Sequence, residues 1–109
     1  MENRNLWVVL LRSNRRSFSV TAHLPVSMGE NEVEELAKRA FSRVYPAIDL
    51  SLRLYDDGAP FWWTAVLSPD IPGDFANFRE FMDTIKPRSN PQTVRLNGEV
   101  FVVHNYKET

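Results

Sequence analysis

The sequence predicts an α+β fold in which an antiparallel sheet carries two helices packed on one face. Three kinds of pattern lead to this prediction: alternating strands, amphipathic helical stripes, and tight-turn dipeptides between strands. Along the chain they give the order ββα-ββα-ββ. With 109 residues, 43% of them hydrophobic and 25% charged, the chain has the size and composition of one soluble globular domain over residues 1–109.

The first predicted unit begins with a hairpin. Residues 6–12 are apolar on both faces, which is typical of a strand inside a sheet. Residues 17–24 alternate between apolar and polar side chains, as in a half-buried strand. The polar residues 13–15 between them supply the turn, so the two strands pair.

An amphipathic helix follows and is the clearest local pattern in the chain. Its apolar stripe has the spacing of one helical face and comprises Val33, Leu36, Ala37, Ala40, Phe41 and Val44. Glutamates precede this stripe and basic residues follow it, which suits the helix dipole. Ser27 with Glu30 has capping-box spacing, and Asn31 with Glu34 offers a second cap one turn later. Tyr45, placed before a proline, ends the helix.

The second predicted unit repeats this order. Residues 48–55 alternate, residues 61–67 are rich in aromatic and β-branched side chains, and Asp57-Gly58 between them indicates a hairpin turn. A shorter helix over residues 74–85 turns three phenylalanines, Met82 and Ile85 inward and stops at Lys86-Pro87.

A third hairpin closes the chain. Residues 93–96 and 99–105 flank Asn97-Gly98, the preferred dipeptide for a two-residue hairpin turn. We expect the chain to fray at residues 1–5 and 106–109. The order in which the hairpins pair in the sheet is not readable from the sequence.

The composition narrows the chemistry. Cysteine is absent, which excludes disulfides and thiol nucleophiles, and the four glycines are isolated, so there is no phosphate-binding loop. His23 and His104 are the candidates for proton transfer at neutral pH. An enzyme, the third hypothesis, would use them as a metal pair or as a catalytic histidine beside a carboxylate. We favour the alternative that they are surface residues near strand ends, since a metal site needs three or more ligands and no His-x-x-x-His spacing occurs. Asp56 and Asp57 are explained by the turn that they precede. We therefore expect a protein that is not an enzyme, with no cofactor.

Surplus aromatic and arginine side chains predict a partner-binding surface. Trp62 and Trp63 are adjacent on a strand and must point to opposite faces, so one of them lies outside the core beneath the helices. Trp, Tyr and Arg dominate the energetics of protein interfaces. The alternative is that a loop or a second copy of the chain covers the other face. The residues predicted to contact a partner are Trp7, Tyr55, Trp63, Arg15, Arg16 and Arg53.

Direct nucleic-acid binding is the second hypothesis. Arg12, Arg15 and Arg16 form a basic hairpin tip near aromatic residues, an arrangement that also holds single-stranded nucleic acid. A net charge of −1 argues against a partnership driven by net charge alone. The acidic start of the helix, residues 30–35, could instead mimic phosphate for a basic partner, although a solvated helix end explains it as well.

The first 44 residues combine an apolar strand, a basic turn, a strand that includes Phe18-Ser19-Val20-Thr21-Ala22, and an amphipathic helix such as residues 32–41. In this arrangement they resemble small phage and mobile-element proteins, among them several anti-CRISPR inhibitors. The likeness covers less than half of the chain and transfers no functional residue. It implies a stoichiometric inhibitor that blocks a bacterial defence or host complex, with an immunity protein or antitoxin as the next choice.

These observations give the overall expectation for partners and location. The partner is a protein or nucleoprotein complex, and self-association as a homodimer through a sheet face or a hairpin edge stays open. The apolar run at residues 6–11 is too short for a signal peptide or a bilayer span, so we expect a cytoplasmic protein without membrane contact.

Overall fold

The structure is a computed structural model that describes residues 3–13, 16–50, 63–68, 79, 85–87 and 91–108. Within these ranges the fold is α+β, with a helix packed against an antiparallel sheet. Its elements in chain order are β1 (Arg4–Arg12), β2 (Ser17–Pro25), α1 (Glu30–Val44), β3 (Trp63–Leu67), β4 (Ile85–Pro87), β5 (Gln92–Leu96) and β6 (Glu99–Glu108).

Six strands occupy five positions across the described sheet, in the order β3-β1-β2-β6-β4. Strand β5 shares the outer position with β4, because β5 pairs with the first half of β6 and β4 with its last residues. The apolar strand β1 lies between β3 and β2, inside the sheet as the sequence predicts. All the strand pairs described are antiparallel.

The first hairpin confirms its prediction and is longer than expected. Its register runs from Arg4 opposite Pro25 to Arg12 opposite Ser17. The expected fraying of residues 1–5 is therefore wrong at Arg4 and Asn5, which pair with β2. The turn is closed by the Ser13 backbone N–H, which donates to the Arg16 carbonyl oxygen at 2.9 Å.

Helix α1 confirms the predicted stripe, but not the predicted cap. Gly29 occupies the N-cap in extended backbone and no side chain caps the helix, so both capping boxes are wrong. Asn31 cannot cap because it already lies inside the helix, and Ser27 lies two residues too early. The helix ends as expected at Tyr45, whose backbone N–H donates to the Phe41 carbonyl oxygen at 2.9 Å.

The core lies between α1 and the sheet. Its centre is an aromatic cluster in which the Phe18 ring lies 4.9 Å from Phe41 and 4.8 Å from Tyr45, centroid to centroid. Such edge and tilted contacts add about 0.5–1.5 kcal/mol per pair beyond the buried area. The other buried residues of this cluster are Val9, Leu11, Val20, Ala22, Leu24, Val33, Leu36, Ala37, Ala40, Leu96, Phe101 and Val103.

The β5–β6 hairpin also confirms its prediction. Asn97 has φ 53° and Gly98 has φ 80°, the pair of positive values that a two-residue turn of this hand requires. Strand β6 continues past its predicted end, however, and Tyr106 is only 4% exposed. The expected fraying of residues 106–109 is therefore wrong at Tyr106, because β2 and β4 flank it.

The second predicted unit is the least well matched. Residues 48–50 are not in a strand, and residues 51–62, with the Asp57-Gly58 turn, lie outside the described residues. Strand β3 pairs with β1, a neighbour that the sequence did not identify. Most of the predicted helix over residues 74–85 lies outside the described residues. Arg79, which is described, is helical. The predicted last residue of this helix is wrong, because Ile85 begins strand β4.

The sheet face opposite α1 is not open along its whole length. Val8, Leu10 and Leu67 form a second buried cluster there, each no more than 7% exposed. Ser17 and Ser19 are fully buried, so the prediction that β2 is half-buried fails at this end of the strand. At its other end β2 behaves as expected, since His23 is exposed.

Candidate interaction surface

Trp7 lies mainly in the core, although the sequence predicts it as a contact residue. It shares the helix-facing side of β1 with Val9 and Leu11 and packs, partly buried, against the core cluster. Its indole Nε1 is buried and has no hydrogen-bond partner among the residues that the structure describes. Only part of this side chain is therefore accessible to a partner.

Arg16 is held against aromatic rings. Its guanidinium carbon lies 4.9 Å from the centroid of the Phe18 ring and 5.9 Å from that of Tyr45. Both distances are within the range of cation–π attraction. Arg16 therefore covers the aromatic cluster of the core. This packing gives Arg16 a structural role that requires no binding partner.

The remaining predicted contact residues fall where the structure gives little description. Arg15, Arg53 and Tyr55 lie outside the described residues. Trp63 begins β3 opposite Arg12, but its side chain lies outside the description. The described part of the chain therefore does not bring the six predicted residues together, and as contacts they remain predictions.

The two histidines share one sheet face without meeting. His23 lies opposite Leu6, and His104 lies opposite Ser19, four residues before His23 on β2. The two histidines are therefore separated by about 13 Å along the strands. The His104 ring stacks on Tyr106 at 5.7 Å, and burial holds the pKa of His104 below its ordinary value. Among the described residues no group of three or more His, Cys, Asp or Glu could hold a metal ion.

A groove opens where strands β2 and β6 separate. Their pairing ends at Thr21 opposite Val102, although β2 continues to Pro25 and β6 starts at Glu99. The resulting gap, here called the strand groove, has a volume of about 420 Å³. Val100 in its lining is 43% exposed, a high value for a large hydrophobic residue.

Arg4 bridges the two walls of the strand groove. Its Nη1 donates to the His23 carbonyl oxygen at 3.0 Å and to Glu99 Oε1 at 2.6 Å. One side chain of β1 therefore ties β2 to the start of β6 across the gap.

Two further grooves lie on the helix side of the same hairpin. The middle groove, about 380 Å³, is lined by Met28, Glu32, Glu35, Leu36, Arg39, Asn97 and Glu99. The helix groove, about 710 Å³, is lined by Glu35, Lys38, Arg39, Ser42, Arg43, Ile48, Asp49, Leu50, Leu96 and Asn97.

The three grooves meet at the β5–β6 turn. Glu99 lines both the strand groove and the middle groove, and Asn97 lines both the middle groove and the helix groove. The three grooves are therefore neighbours around this turn, with the strand groove on one side of the hairpin and the other two on the helix side, and together we call them the turn surface. The Asn97-Gly98 dipeptide located this turn in the sequence, but the grooves depend on how α1 and β2 pack beside it, which no local pattern reveals.

None of the helical residues that the structure describes forms a segment with the length and hydrophobicity needed to span a bilayer. Comparisons with protein-family models, with curated proteins and with solved structures find no match to this chain.

Proposed function

We propose that this chain is a non-enzymatic protein that binds a macromolecular partner through the turn surface. The observation that carries the proposal is the position of three neighbouring grooves around the β5–β6 turn, with exposed Val100 in the strand groove. Concave surfaces with apolar residues and a polar rim are typical of recognition sites.

The turn surface lies at the β5–β6 hairpin, whereas Arg16, predicted from the sequence as a contact, lies at the β1–β2 hairpin. The sequence hypothesis places contacts on exposed sheet residues and hairpin tips. Arg16, at the β1–β2 hairpin, packs on Phe18 and Tyr45, whereas Asn97 and Gly98 are exposed at the β5–β6 turn. The turn surface is therefore the better candidate among the described residues.

A stoichiometric inhibitor of a bacterial defence or host complex is the most specific form of this proposal. Its support is the resemblance of the first 44 residues to small phage and mobile-element proteins. A binding surface that needs no cofactor is compatible with such a role. An immunity protein or antitoxin would use the same kind of surface, so the partner's identity decides between them.

Affinity capture from bacterial lysate tests the proposal. The tagged protein, Val100→Asp and Val26→Asp are compared, each with and without nuclease. Val26 is a matched control because it is 53% exposed and does not line the three grooves. We expect one stoichiometric protein to be retained by wild type and Val26→Asp after nuclease treatment and lost with Val100→Asp.

Two outcomes would overturn the proposal. If Val100→Asp captures the same protein as wild type, the strand groove is not a contact. If capture disappears with nuclease, direct nucleic-acid binding becomes the better hypothesis, and its strong weakening by salt provides the next check.

A further inference from the structure

We propose that the helix groove binds an acidic polypeptide segment that carries apolar side chains. This inference rests on the proposed function, since the helix groove is one part of the turn surface. It adds the chemistry of the partner, which the proposed function leaves open.

The first reason is the charge of the groove. Lys38, Arg39 and Arg43 line it against two carboxylates, those of Glu35 and Asp49. Among the described lining residues the groove therefore has one more positive than negative side chain, although the chain as a whole has a net charge of −1. A local charge opposite to that of the whole chain favours a negatively charged ligand.

The second reason is that these basic side chains can bind the carboxylates of a partner. Arg43 Nη1 donates to the Arg95 carbonyl oxygen at 3.2 Å, and no carboxylate among the described residues pairs with Arg43. Lys38 Nζ lies 3.3 Å from Glu34 Oε2, and Arg39 Nη2 lies 3.0 Å from Glu35 Oε1. Both ion pairs are exposed to solvent. Exposed pairs of this type contribute little, so a partner's carboxylates can replace them at small cost.

The third reason is the apolar side of the groove. Ile48, Leu50 and Leu96 line it beside the basic residues, and Ile48 and Leu50 are only partly buried. The groove has a volume of about 710 Å³ and is open to solvent, so a chain segment can lie along it. An apolar side chain of the partner can fill this space while its carboxylates reach the basic rim.

These features favour a polypeptide over a nucleic acid. None of the described residues that line the groove carries an aromatic ring on which a base could stack, and stacking is the usual source of affinity for single strands. Glu35 and Asp49 would also lie close to a phosphate backbone and repel it. A peptide places its carboxylates individually and avoids that repulsion.

Selection from a random peptide display library tests the inference without assuming a sequence. Wild-type protein is the bait, and Lys38→Glu/Arg43→Glu is the comparison. Arg95→Glu is the matched control, because Arg95 is exposed on β5 and does not line the groove. Each variant is first checked for a cooperative unfolding transition.

We expect wild type to enrich peptides that combine Asp or Glu with Leu, Ile or Phe. The affinity of an enriched, fluorescently labelled peptide should fall about tenfold or more in the double variant, since like charges repel across an interface, and should not change in Arg95→Glu. The affinity should also fall as salt is raised.

Enrichment of basic or uncharged peptides, no enrichment at all, or preferential binding of a labelled single-stranded oligonucleotide would each overturn the inference. Failure of this inference can be distinguished from failure of the proposed function. If Val100→Asp abolishes lysate capture while the double variant retains it, the proposed function stands and only the acidic ligand class is wrong.

Discussion

The hydroxyl oxygens of Ser19 and Tyr106 lie 2.9 Å apart and join β2 to β6 on the sheet face opposite the helix. Ser19 is fully buried and Tyr106 is 4% exposed. Burial raises the pKa of Tyr106 above its ordinary value, and the hydrogen bond with Ser19 offsets part of that increase. This contact brings a polar pair into a face whose neighbouring cluster is apolar, and it leads to the first prediction.

Tyr106→Phe should lower the free energy of unfolding by about 1–3 kcal/mol, because it leaves the buried Ser19 hydroxyl without its partner. Adding Ser19→Ala should restore part of that loss, since both polar groups are then gone. Denaturant unfolding of both single variants and the double variant measures this coupling. Strictly additive losses would show that the hydrogen bond does not stabilise the fold.

Acid should destabilise the fold through His104. Burial lowers the pKa of His104 in the folded state, so the unfolded chain binds the proton more tightly. Stability is therefore complete above the unfolded pKa of about 6.5, and it decreases as the pH falls through that value towards the lower folded pKa.

Unfolding curves measured across this pH range check the His104 prediction. His104→Gln should flatten the decrease, whereas the exposed His23→Gln, used as the control, should keep it. If both variants show the wild-type decrease, another group is responsible.

Trp7→Phe should change the free energy of unfolding by no more than about 1 kcal/mol. The smaller ring loses some packing, but the substitution also removes a buried indole N–H that has no partner in the described part of the chain, and these effects oppose each other. Trp7→Ala should lower the stability by about 3 kcal/mol, because it removes the packing as well. A loss for Trp7→Phe as large as for Trp7→Ala would mean that the N–H is satisfied in solution.

Gly98→Ala should lower the stability by about 1 kcal/mol or slightly more, through backbone strain alone. Gly98 has φ 80°, yet an added methyl group would meet no atom within 4 Å. Asn97→Gly, at the neighbouring position with positive φ, is the control and should have a much smaller effect. Thermal unfolding of both variants measures the difference, and an unchanged Gly98→Ala would contradict the turn geometry.

Local patterns predicted the elements whose determinants are local. The β5–β6 hairpin follows from Asn97-Gly98, and α1 follows from an apolar stripe that begins at Val33. Strand β4 has no such pattern. Ile85–Pro87 forms a strand because β6 extends beyond β5 and offers its last residues as a partner edge. Pro87 suits such a short outer strand, where a missing N–H is tolerated.

Long-range contacts decide what the sequence left open. The alternating pattern places Ser19 on the polar side of its strand, but the contact with Tyr106, 87 positions away, buries it. Trp7 is partly buried against the core because the pairing of β1 with β2 places it on the helix side of the sheet. The turn surface has the same origin, because its grooves need α1, β2 and β6 to lie side by side.

Site-specific photo-crosslinking is the most direct test of the turn surface. A photoreactive amino acid replaces Val100 in one variant and Val26 in another, and each is irradiated in lysate that contains the partner. We expect a crosslink to the captured protein from position 100 and none from position 26. Crosslinking from position 26 alone would contradict the claim that the partner binds around the β5–β6 turn.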